Sequence, residues 1–294
     1  MIDVTIVTFN NVKTIDESIN SVKDSNFINQ IIVIDHGNDG SDKVASDLGA
    51  QVIKNPNNPG YGTGQNYAIS LCESPFILLL NPDAKIDLSG LEQGHKFLLA
   101  NENTVAIQGI ITNPDKTLVE RSHGNAIGLI HLYGRALGLK GLLRYRLIRK
   151  VFSKNRYLKD HIHRIPTTPE NTDSLGFAAA LIRRSAFEKV GGFDQDFFMY
   201  GEDTDLCKRF KAVGYDLISL PVQWATHIGQ YSGESNLKKE LLWWEGTLLY
   251  ANKWFSKTEK ILLLGAQFIE FGKLSSREPK FTKTIFRTIF PKYR

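Results

Sequence analysis

Residues 191–205 contain the densest set of side chains that could do chemistry. The segment reads Gly-Gly-Phe-Asp-Gln-Asp-Phe-Phe-Met-Tyr-Gly-Glu-Asp-Thr-Asp, in which five carboxylates stand among four aromatic rings. Apolar surroundings remove water from a carboxylate and raise its pKa, which suits that group to accept a proton as a general base. The segment therefore predicts a catalytic loop, and the alternative is an acidic loop that is merely hydrated.

A second acidic element lies upstream, in Phe76-Ile-Leu-Leu-Leu-Asn-Pro-Asp. The apolar run from Phe76 to Leu80 predicts a strand buried on both faces of a sheet, and Pro82 ends it near Asn81. Asp83 then follows the carboxyl end of that strand, where open α/β sheets bind their ligands. Mg²⁺ needs few protein carboxylates when phosphates and water complete its shell. The segment predicts either a metal-binding acid or an ordinary turn.

The elements that must position these acids begin with a strand, a helix and a second strand. Val4–Thr8 and Gln30–Ile34 are rich in β-branched residues and predict strands, each followed by a polar segment. Thr14–Val22 has the apolar spacing of a short helix. This order predicts a parallel sheet with a right-handed crossover, which brings the polar segments to one edge.

A glycine-rich segment follows the next predicted strand, Gln51–Lys54, and reads Asn-Pro-Asn-Asn-Pro-Gly-Tyr-Gly-Thr-Gly-Gln-Asn. Its glycines, at positions 60, 62 and 64, precede a helix predicted from about Tyr67 to Cys72. Free backbone N–H groups at a helix start can bind an anion or a nucleotide. The spacing matches neither the dinucleotide fingerprint nor the P-loop, because no Gly-Lys-Ser/Thr follows.

Together these segments resemble the inverting, nucleotide-sugar-dependent glycosyltransferases of family 2, which have the GT-A fold. The matching segments occur in the family's order and cover most of residues 1–232: Val4–Asn10, Ile32–Ser41, Asn55–Ala68, Leu79–Asp83, Ser174–Asp216 and His227–Ser232. The segment from Asn58 to Asn66, taken with Leu80-Asn-Pro-Asp83, is similar to the bacterial rhamnosyltransferase branch. Members of that branch build polysaccharides or cell-wall linkers on lipid carriers.

The resemblance implies a role for each matching residue. The donor nucleotide would contact Thr8, Asn10, Asp35, Asp39, Gly62, Gly64, Asn66 and Asn81. Among them, Asp35 would accept a hydrogen bond from N3–H of a pyrimidine, which needs a partner when buried. Asn81 replaces the first acid of the family's Asp-x-Asp motif, so the site has fewer anionic ligands than usual.

The remaining implied roles concern the metal, the base and the two sugars. The metal, Mg²⁺ or Mn²⁺, would be held by Asp83 and by His227, for which a purely structural role is equally possible. Asp203 corresponds to the general base, and Glu202 would orient the acceptor or the base. Gly176 lies where the family's backbone approaches the donor sugar. Trp243 could form an acceptor platform, although one of the adjacent pair Trp243 and Trp244 should be buried instead.

The fold implied is α/β, of GT-A type, with a mostly parallel central sheet flanked by helices and a helical C-terminal extension. Residues 1–235 would form the transferase domain, with the basic residues 125–170 inserted on its acceptor and membrane side. Residues 236–294 would form the extension. The reaction would move a sugar, with rhamnose favoured, from a dTDP or UDP sugar to a hydroxyl of a glycan or polyprenyl-diphosphate-linked acceptor.

The charge of the chain suggests a membrane surface as a further partner. The formal net charge is +5, and basic residues are interleaved with leucines between Arg135 and Arg164 and with Ile and Phe in residues 273–294. The last segment also has apolar residues at helical spacing, namely Ile285, Phe286, Ile289 and Phe290. Basic amphipathic helices bind anionic membranes, so we expect a cytoplasmic protein attached to the inner face of the cell membrane. The alternative is that these helices pack on the core or on a second subunit.

Two other classes of protein share features with this sequence. A nucleic-acid-binding protein would fit the basic balance, but the basic residues stand beside Leu and Phe rather than among stacking aromatics. An inactive sugar-nucleotide-binding scaffold is disfavoured because Asp83, Glu202 and Asp203 are all present. No apolar stretch reaches the roughly 18 residues that span a bilayer.

Overall fold

The structure is a computed structural model that describes residues 1–117, 123–124, 126–138, 166–228 and 236–291. Most of the basic segment between Arg135 and Arg164 lies outside the described residues, as do Ser232, Lys292 and Arg294. The chain divides into two compact units. The first comprises Met1–Gly124, Ile165–Phe198 and Asp203–Gly233, and the second comprises Asn125–Arg164, Met199–Glu202 and Glu234–Arg294. The predicted boundary at residue 235 stays a prediction.

The described helices and strands confirm an α/β fold. The strands are β1 Ile2–Thr8, β2 Ile28–Asp35, β3 Gln51–Lys54, β4 Phe76–Leu80, β5 Ala84–Ile86, β6 Thr104–Thr112, β7 His123–Gly124, β8 Glu170–Asn171, β9 Ser174–Leu175, β10 Ala179–Arg183 and β11 Asp216–His227. The helices are α1 Ile15–Asn20, α2 Ser41–Asp47, α3 Tyr61–Ser70, α4 Leu88–Ala100, α5 Leu129–Ala136, α6 Arg184–Lys189, α7 Glu202–Ala212, α8 Asn236–Trp254, α9 Lys257–Arg277 and α10 Thr282–Ile289.

The central sheet has the strand order β3-β2-β1-β4-β10-β6-β11-β5, with β8 paired to β11. The half from β3 to β4 is parallel, whereas β10 runs antiparallel to β4. Every residue of β1 and β4 is buried, as the continuous apolar run of β4 predicted. The carboxyl ends of the parallel strands meet at one edge of the sheet, which positions the polar segments that follow β1, β2 and β4.

The glycine-rich helix differs from the sequence-based prediction. Helix α3 begins at Tyr61 rather than near Tyr67, so that Gly62 and Gly64 lie inside the helix. Both glycines are buried, and helix α3 packs on β1. Glycine lowers the intrinsic stability of a helix, but here the contact with the sheet outweighs that preference.

The second unit is helical where it is described, with α8 and α9 followed by a 3₁₀ turn at Pro279–Phe281 and by α10. The apolar stripe predicted to face a membrane is instead packed inside this unit, because Ile285, Ile289 and Phe290 are at most 2% exposed. Of that stripe only Phe286 keeps an exposed ring. None of the helices in the described part of the chain is long and apolar enough to cross a bilayer.

Candidate active site

The ends of β1 and β2 bring Thr8 and Asp35 side by side. These two residues are register partners across the parallel pair, and both are buried. The Asp35 carboxylate accepts a hydrogen bond from the Gly37 N–H at 2.9 Å through Oδ1. Its other oxygen, Oδ2, has no hydrogen-bond partner among the described residues and lies 4.0 Å from the Lys54 Nζ. Burial raises the pKa of Asp35. A buried acceptor without a donor is costly, so this atom is ready for an N–H group of a ligand.

The loops that follow these strands are held together by Asn10 and Asp39. Asn10 has a φ of 59°, and its Oδ1 accepts from the Asn38 N–H at 3.0 Å. The Asp39 carboxylate accepts from the Val12 N–H at 2.8 Å and from the Ser41 hydroxyl at 2.6 Å. Burial alone would raise the pKa of Asp39, but these hydrogen bonds lower it. Both side chains shape the loops, and their contact with a nucleotide stays a prediction.

Gly62 and Gly64 permit close packing of α3. A Cβ atom at Gly62 would lie 2.9 Å from Cβ of Phe193, and one at Gly64 would lie 2.9 Å from Cγ1 of Val7. Any side chain at either position would therefore push α3 away from β1 or from the acidic loop. The structure explains these two glycines by packing, while their predicted contact with the nucleotide remains untested.

Asn66 anchors the acidic loop to α3. Its Nδ2 donates to the Phe193 carbonyl and its Oδ1 accepts from the Phe193 N–H, both at 2.8 Å. The side-chain amide thus pairs with one backbone residue as a neighbouring strand would. Its role in nucleotide binding stays a prediction, but the structure assigns it the positioning of the residues that lead to Asp203.

Tyr61 makes two contacts that the sequence did not reveal. Its N–H donates to the Phe198 carbonyl at 3.0 Å, and its hydroxyl donates to the Phe177 carbonyl at 3.0 Å. The first contact requires close approach, since a Cβ at Gly60 would lie 2.3 Å from the Phe198 oxygen. The start of α3 therefore joins the acidic loop to the loop between β9 and β10. An aromatic residue between glycines is the only sequence signal for this role.

Asp83 and His227 form a close pair at the end of β4. Oδ1 of Asp83 lies 3.0 Å from Nε2 of His227, and the Asp83 carbonyl accepts from the Ile228 N–H at 3.0 Å. The preceding Asn81 is fixed by its backbone, because its N–H donates to the Ala178 carbonyl at 2.8 Å. The side chains of Asp83 and His227 are 14% and 17% exposed, so both can reach a ligand.

The donor set of this pair fits a divalent metal. A carboxylate oxygen suits Mg²⁺ and Mn²⁺, and an imidazole nitrogen is also accepted by Mn²⁺. The described residues contain no cluster of three or more His, Cys, Asp or Glu side chains that could hold a metal by themselves. Asp83 and His227 would therefore share the metal with oxygens of a bound diphosphate and with water.

Asp203 lies at the start of α7, beside β9. Its Oδ1 accepts from the Thr204 N–H at 2.7 Å and from the Thr204 hydroxyl at 3.3 Å. One helical turn further on, Sγ of Cys207 accepts a hydrogen bond from the Leu175 N–H at 3.4 Å. Helix α7 therefore packs beside the segment that contains Gly176. Burial raises the pKa of Asp203, as a general base requires.

The other acids of the loop have structural partners or remain unassigned. Asp205 is fully buried and accepts from the Arg209 Nε at 2.8 Å, and Asp194 accepts from the Asp196 N–H at 2.9 Å. Glu202 is buried and begins α7 directly before Asp203. Its proposed role in orienting the acceptor or the base stays a prediction.

The pairing of β10 with β4 sets the segment before β10 next to the end of β4. In the antiparallel pairing of β10 with β4, Ala179 lies opposite Leu80. The segment before β10, which contains Gly176, therefore reaches the edge at which β4 ends and Asp83 follows. That Asp203 shares this edge with Asp83 and His227 stays a prediction.

Trp243 lies in α8, within the second unit. The guanidinium carbon of Arg135 lies 4.2 Å above its ring, and the ring of Trp244 packs edge-on at 5.5 Å. Trp244 is fully buried, which agrees with the prediction that one of the two belongs to the core. A guanidinium over an indole face is a favourable cation–π contact. The use of Trp243 as an acceptor platform stays a prediction.

Comparison with protein families gives two matches. The model described as glycosyl transferase family 2 matches residues 3–191. A second model, described as the N-terminal domain of galactosyltransferase, matches residues 171–232. The first match contains β1 to β10 with Asp35 and Asp83, and the second contains the acidic loop with Asp203 and His227.

Curated relatives match over short segments. The rhamnosyltransferase WbbL of Escherichia coli (strain K12) is 41% identical over 63 residues, which are 21% of this chain and 24% of that protein. The N-acetylglucosaminyl-diphospho-decaprenol L-rhamnosyltransferase of Mycobacterium tuberculosis (strain CDC 1551 / Oshkosh) is 47% identical over 47 residues, which are 16% of this chain and 15% of that protein. The chain thus spans at most about a quarter of either relative.

Solved structures show the same fold at low identity. GalNAc-T7 with UDP, GalNAc and Mn²⁺ has a TM-score of 0.62 at 12% identity and covers 87% of this chain and 48% of that chain. The mannosyltransferase PcManGT from Pyrobaculum calidifontis, in complex with GDP-Man and Mn²⁺, has a TM-score of 0.57 at 15% identity, covering 92% and 71%. S. aureus TarS 1-349 in complex with UDP has a TM-score of 0.54 at 13% identity, covering 98% and 86%. These likenesses confirm the GT-A type of fold.

Proposed function

The chain belongs to glycosyl transferase family 2, and on that premise we propose that it transfers a sugar, with inversion, from a dTDP or UDP sugar to a glycan hydroxyl. Rhamnose is the favoured sugar, because both relatives described above are rhamnosyltransferases. The observations that support the proposal are the contact of Asp83 with His227 just after β4 and the unpartnered buried oxygen of Asp35 at the end of β2.

The buried oxygen of Asp35 supports a pyrimidine nucleotide as the donor's carrier. A pyrimidine N3–H would give Oδ2 the hydrogen bond that it lacks among the described residues. Uracil and thymine present the same edge to this acceptor, so Asp35 fits UDP and dTDP equally. Asn10, Asp39 and Asn81 lie in the loops after β1, β2 and β4 and would surround the ribose and diphosphate.

The proposed reaction is a single displacement at the anomeric carbon. The bond from that carbon to the diphosphate oxygen breaks while the acceptor oxygen bonds to the opposite face, and the acceptor's proton passes to the Asp203 carboxylate. The raised pKa of Asp203 makes this transfer more favourable than it would be to an ordinary aspartate. A Mg²⁺ or Mn²⁺ ion held by Asp83 and His227 would stabilise the charge of the leaving diphosphate. No side chain is covalently modified.

The acceptor in this proposal is a glycan carried by a polyprenyl diphosphate. Support comes from the mycobacterial relative, whose name describes an N-acetylglucosaminyl-diphospho-decaprenol acceptor. Such an acceptor is confined to a membrane, so the protein would work at the cytoplasmic face of the cell membrane in the synthesis of bacterial surface polysaccharide.

An inactive sugar-nucleotide-binding or scaffold protein is the alternative. It would have the same fold, but it would not need a candidate base such as Asp203 at the start of α7. Turnover therefore separates the two proposals more sharply than binding does.

The test has two stages. A thermal-shift screen of UDP, dTDP, UDP sugars and dTDP-rhamnose, with Mn²⁺, Mg²⁺ or EDTA, identifies the donor, since a ligand at 100 times its Kd adds about 2.7 kcal/mol to the free energy of unfolding. NMR of the product with that donor and a polyprenyl-diphosphate glycan then gives the anomeric configuration. An inverted product is expected. Stabilisation by a nucleotide sugar without any product would favour the scaffold, and a retained configuration would refute the single displacement.

A further inference from the structure

Helix α9 carries a stripe of apolar side chains on its exposed face. Ile261, Leu262 and Phe268 are 68%, 49% and 62% exposed. The spacing of seven residues places Ile261 and Phe268 on one side of the helix, and Leu262 lies about a quarter of a turn away. The opposite face of helix α9 is also apolar, and it is buried at Leu263, Ala266 and Leu274. Helix α9 therefore has one buried apolar face and one exposed apolar face.

Helix α5 extends this stripe within the same unit. The Tyr133 hydroxyl donates to the Leu262 carbonyl at 2.6 Å, and a Cβ at Gly265 would lie 2.2 Å from that hydroxyl. Ile130 and Leu137 lie three residues before and four after Tyr133, so they share its helix face. Both are exposed, at 48% and 55%.

An aromatic chain connects the stripe to α10. The ring centroids of Phe268 and Phe290 are 4.8 Å apart, and those of Phe290 and Phe286 are 5.2 Å apart. Phe290 is buried, whereas Phe286 is 38% exposed beside it. Helices α5 and α10 both pack on α9, and the exposed apolar side chains of the three helices are here called the apolar patch: Ile130, Leu137, Ile261, Leu262, Phe268 and Phe286.

Basic side chains lie on the same part of the chain as the apolar patch, namely on α9, on α10 and in the 3₁₀ turn between them. Lys257, Lys280, Lys283 and Arg287 are exposed, and none of them forms an ion pair with a described residue. The acids of α9 are turned away from the patch, because Glu270 is buried against Lys273 and Glu259 caps the helix start at Ser256. The second unit thus presents apolar side chains with unneutralised positive charge beside them.

We propose that the apolar patch inserts into the headgroup layer of an anionic membrane, with the four basic side chains on lipid phosphates. Apolar burial at that depth and attraction to anionic lipids are the two terms of interfacial binding, and this surface supplies both. A second copy of the chain is the competing occupant. A symmetric dimer would bring the same cations of two copies together, which opposes association.

This inference deepens the proposed function, on which its biological purpose rests, because a lipid-borne acceptor must be met at the membrane. It also replaces the sequence-based expectation that Ile285, Ile289 and Phe290 would face lipid. Those three side chains form the packed side of α10, and the membrane-facing residues are contributed mainly by α9 and α5.

Co-sedimentation with vesicles tests the apolar part. The full chain is mixed with phosphatidylglycerol–phosphatidylcholine vesicles, without donor or acceptor, and the bound fraction is measured. Phe268→Glu and Leu262→Glu should lower the partition coefficient by about tenfold or more, since a charge replaces a buried apolar group. The matched control is Leu99→Glu on α4 of the first unit, where the leucine is 59% exposed, and it should bind like the unmodified chain. Equal binding by all four proteins would overturn the proposal.

Salt and charge test the electrostatic part. Replacing Lys280, Lys283 and Arg287 by Gln should weaken binding by about fivefold per residue on anionic vesicles and leave the weak binding to pure phosphatidylcholine unchanged. Light scattering without lipid should give the monomer mass for the unmodified chain. A dimer that Phe268→Glu converts to monomer, with no lipid binding by either, would assign the patch to self-association instead. Because the vesicle assay contains no substrate, a negative result in it would not count against glycosyl transfer. A lack of turnover would likewise not count against lipid binding.

Discussion

Oδ1 of Asp83 lies 3.0 Å from Nε2 of His227, although the two residues are 144 positions apart in the chain. The contact exists because β5 pairs antiparallel with the end of β11, which sets His227 opposite Ala84. As metal ligands, these two side chains would need a bound diphosphate to complete the site. Metal binding and nucleotide binding should therefore be coupled.

Removal of either side chain, Asp83 or His227, should uncouple metal binding from nucleotide binding. Asp83→Ala and His227→Ala should each weaken nucleoside-diphosphate binding in the presence of Mn²⁺ by about 10- to 100-fold, the range seen when the surroundings of a metal are altered. Isothermal titration calorimetry with Mn²⁺ and with EDTA measures this effect. Both variants should bind the nucleotide as weakly with Mn²⁺ as the unmodified chain does with EDTA. A His227→Ala variant with the full Mn²⁺ effect would leave the histidine a structural role only.

Substitution of the candidate base should affect turnover and spare binding. Asp203→Asn should lower kcat by about 10²- to 10⁴-fold, the usual contribution of a general base, while thermal shifts by the donor stay nearly unchanged. Asp196→Asn is the matched control, because Asp196 is an exposed acid of the same loop. It should keep normal turnover. Near-normal turnover by Asp203→Asn would remove Asp203 from the role.

The pH dependence of the unmodified protein should reflect the same group. A general base must be ionised, so kcat/KM should fall as the pH drops through the pKa of Asp203. Burial raises that pKa, and the fall should therefore begin at a higher pH than the value of about 3.9 for a free aspartate would give. A profile that stays flat down to pH 4, in a protein still folded at that pH, would contradict the assignment.

Replacement of Asp35 and of Asp39 by asparagine should change the free energy of unfolding in opposite directions. Asp35 has a raised pKa, so its ionised form opposes folding at pH 7, and Asp35→Asn should raise the free energy of unfolding of the ligand-free protein. Asp39 has a lowered pKa because of its hydrogen bonds, so Asp39→Asn should lower the free energy of unfolding by about 1–2 kcal/mol. Denaturant unfolding at pH 7 measures both.

The same two variants separate stability from binding. Asp35→Asn should weaken UDP or dTDP binding despite its greater stability, because the acceptor for the base N–H is changed. The stability difference of Asp35→Asn should shrink as the pH falls from the raised pKa of Asp35 to about 4. The difference of Asp39→Asn should shrink only below about 4, where the aspartates of the unfolded chain are protonated. If Asp35→Asn destabilised the protein at pH 7, the unsatisfied oxygen would have a partner in solution.

Gly246 on α8 should be required for the turn that precedes the candidate base. A Cβ at this position would lie 1.7 Å from the carbonyl oxygen of Tyr200, a residue whose φ of 66° is already unfavourable. Gly246→Ala should displace this turn and lower kcat by about tenfold or more, since small misplacements of catalytic groups have effects of that size. Steady-state kinetics should show KM for the donor little changed.

Gly272 on α9 is the matched control for that substitution. No atom lies within 4 Å of a Cβ at this position, so Gly272→Ala should keep normal kinetics and raise the stability of the helix by up to about 1 kcal/mol. Two equally active variants would show that the turn tolerates displacement. Loss of folding by Gly246→Ala alone would be visible in its thermal unfolding, which is measured alongside.

The amino-acid sequence determined the local elements and the family. The strand from Phe76 to Leu80 was predicted with its observed bounds, because five consecutive apolar residues before Asn-Pro leave little choice of structure. The placement of Asp83 just after it follows from the same pattern. Helix α3 was predicted too short, because its glycines indicate a loop when read locally and owe their helical conformation to packing on β1.

Only the tertiary structure decided which distant groups meet. Asn66 binds the backbone of Phe193, and Asp83 lies beside His227, because the strand order brings together segments more than 100 residues apart. The sequence likewise left open whether the stripe of α10 is packed or exposed, since an amphipathic pattern has the same period in both cases. Burial of Ile285 and Ile289 and exposure of Ile261 and Phe268 depend on which helices pack together, and that is a property of the folded chain alone.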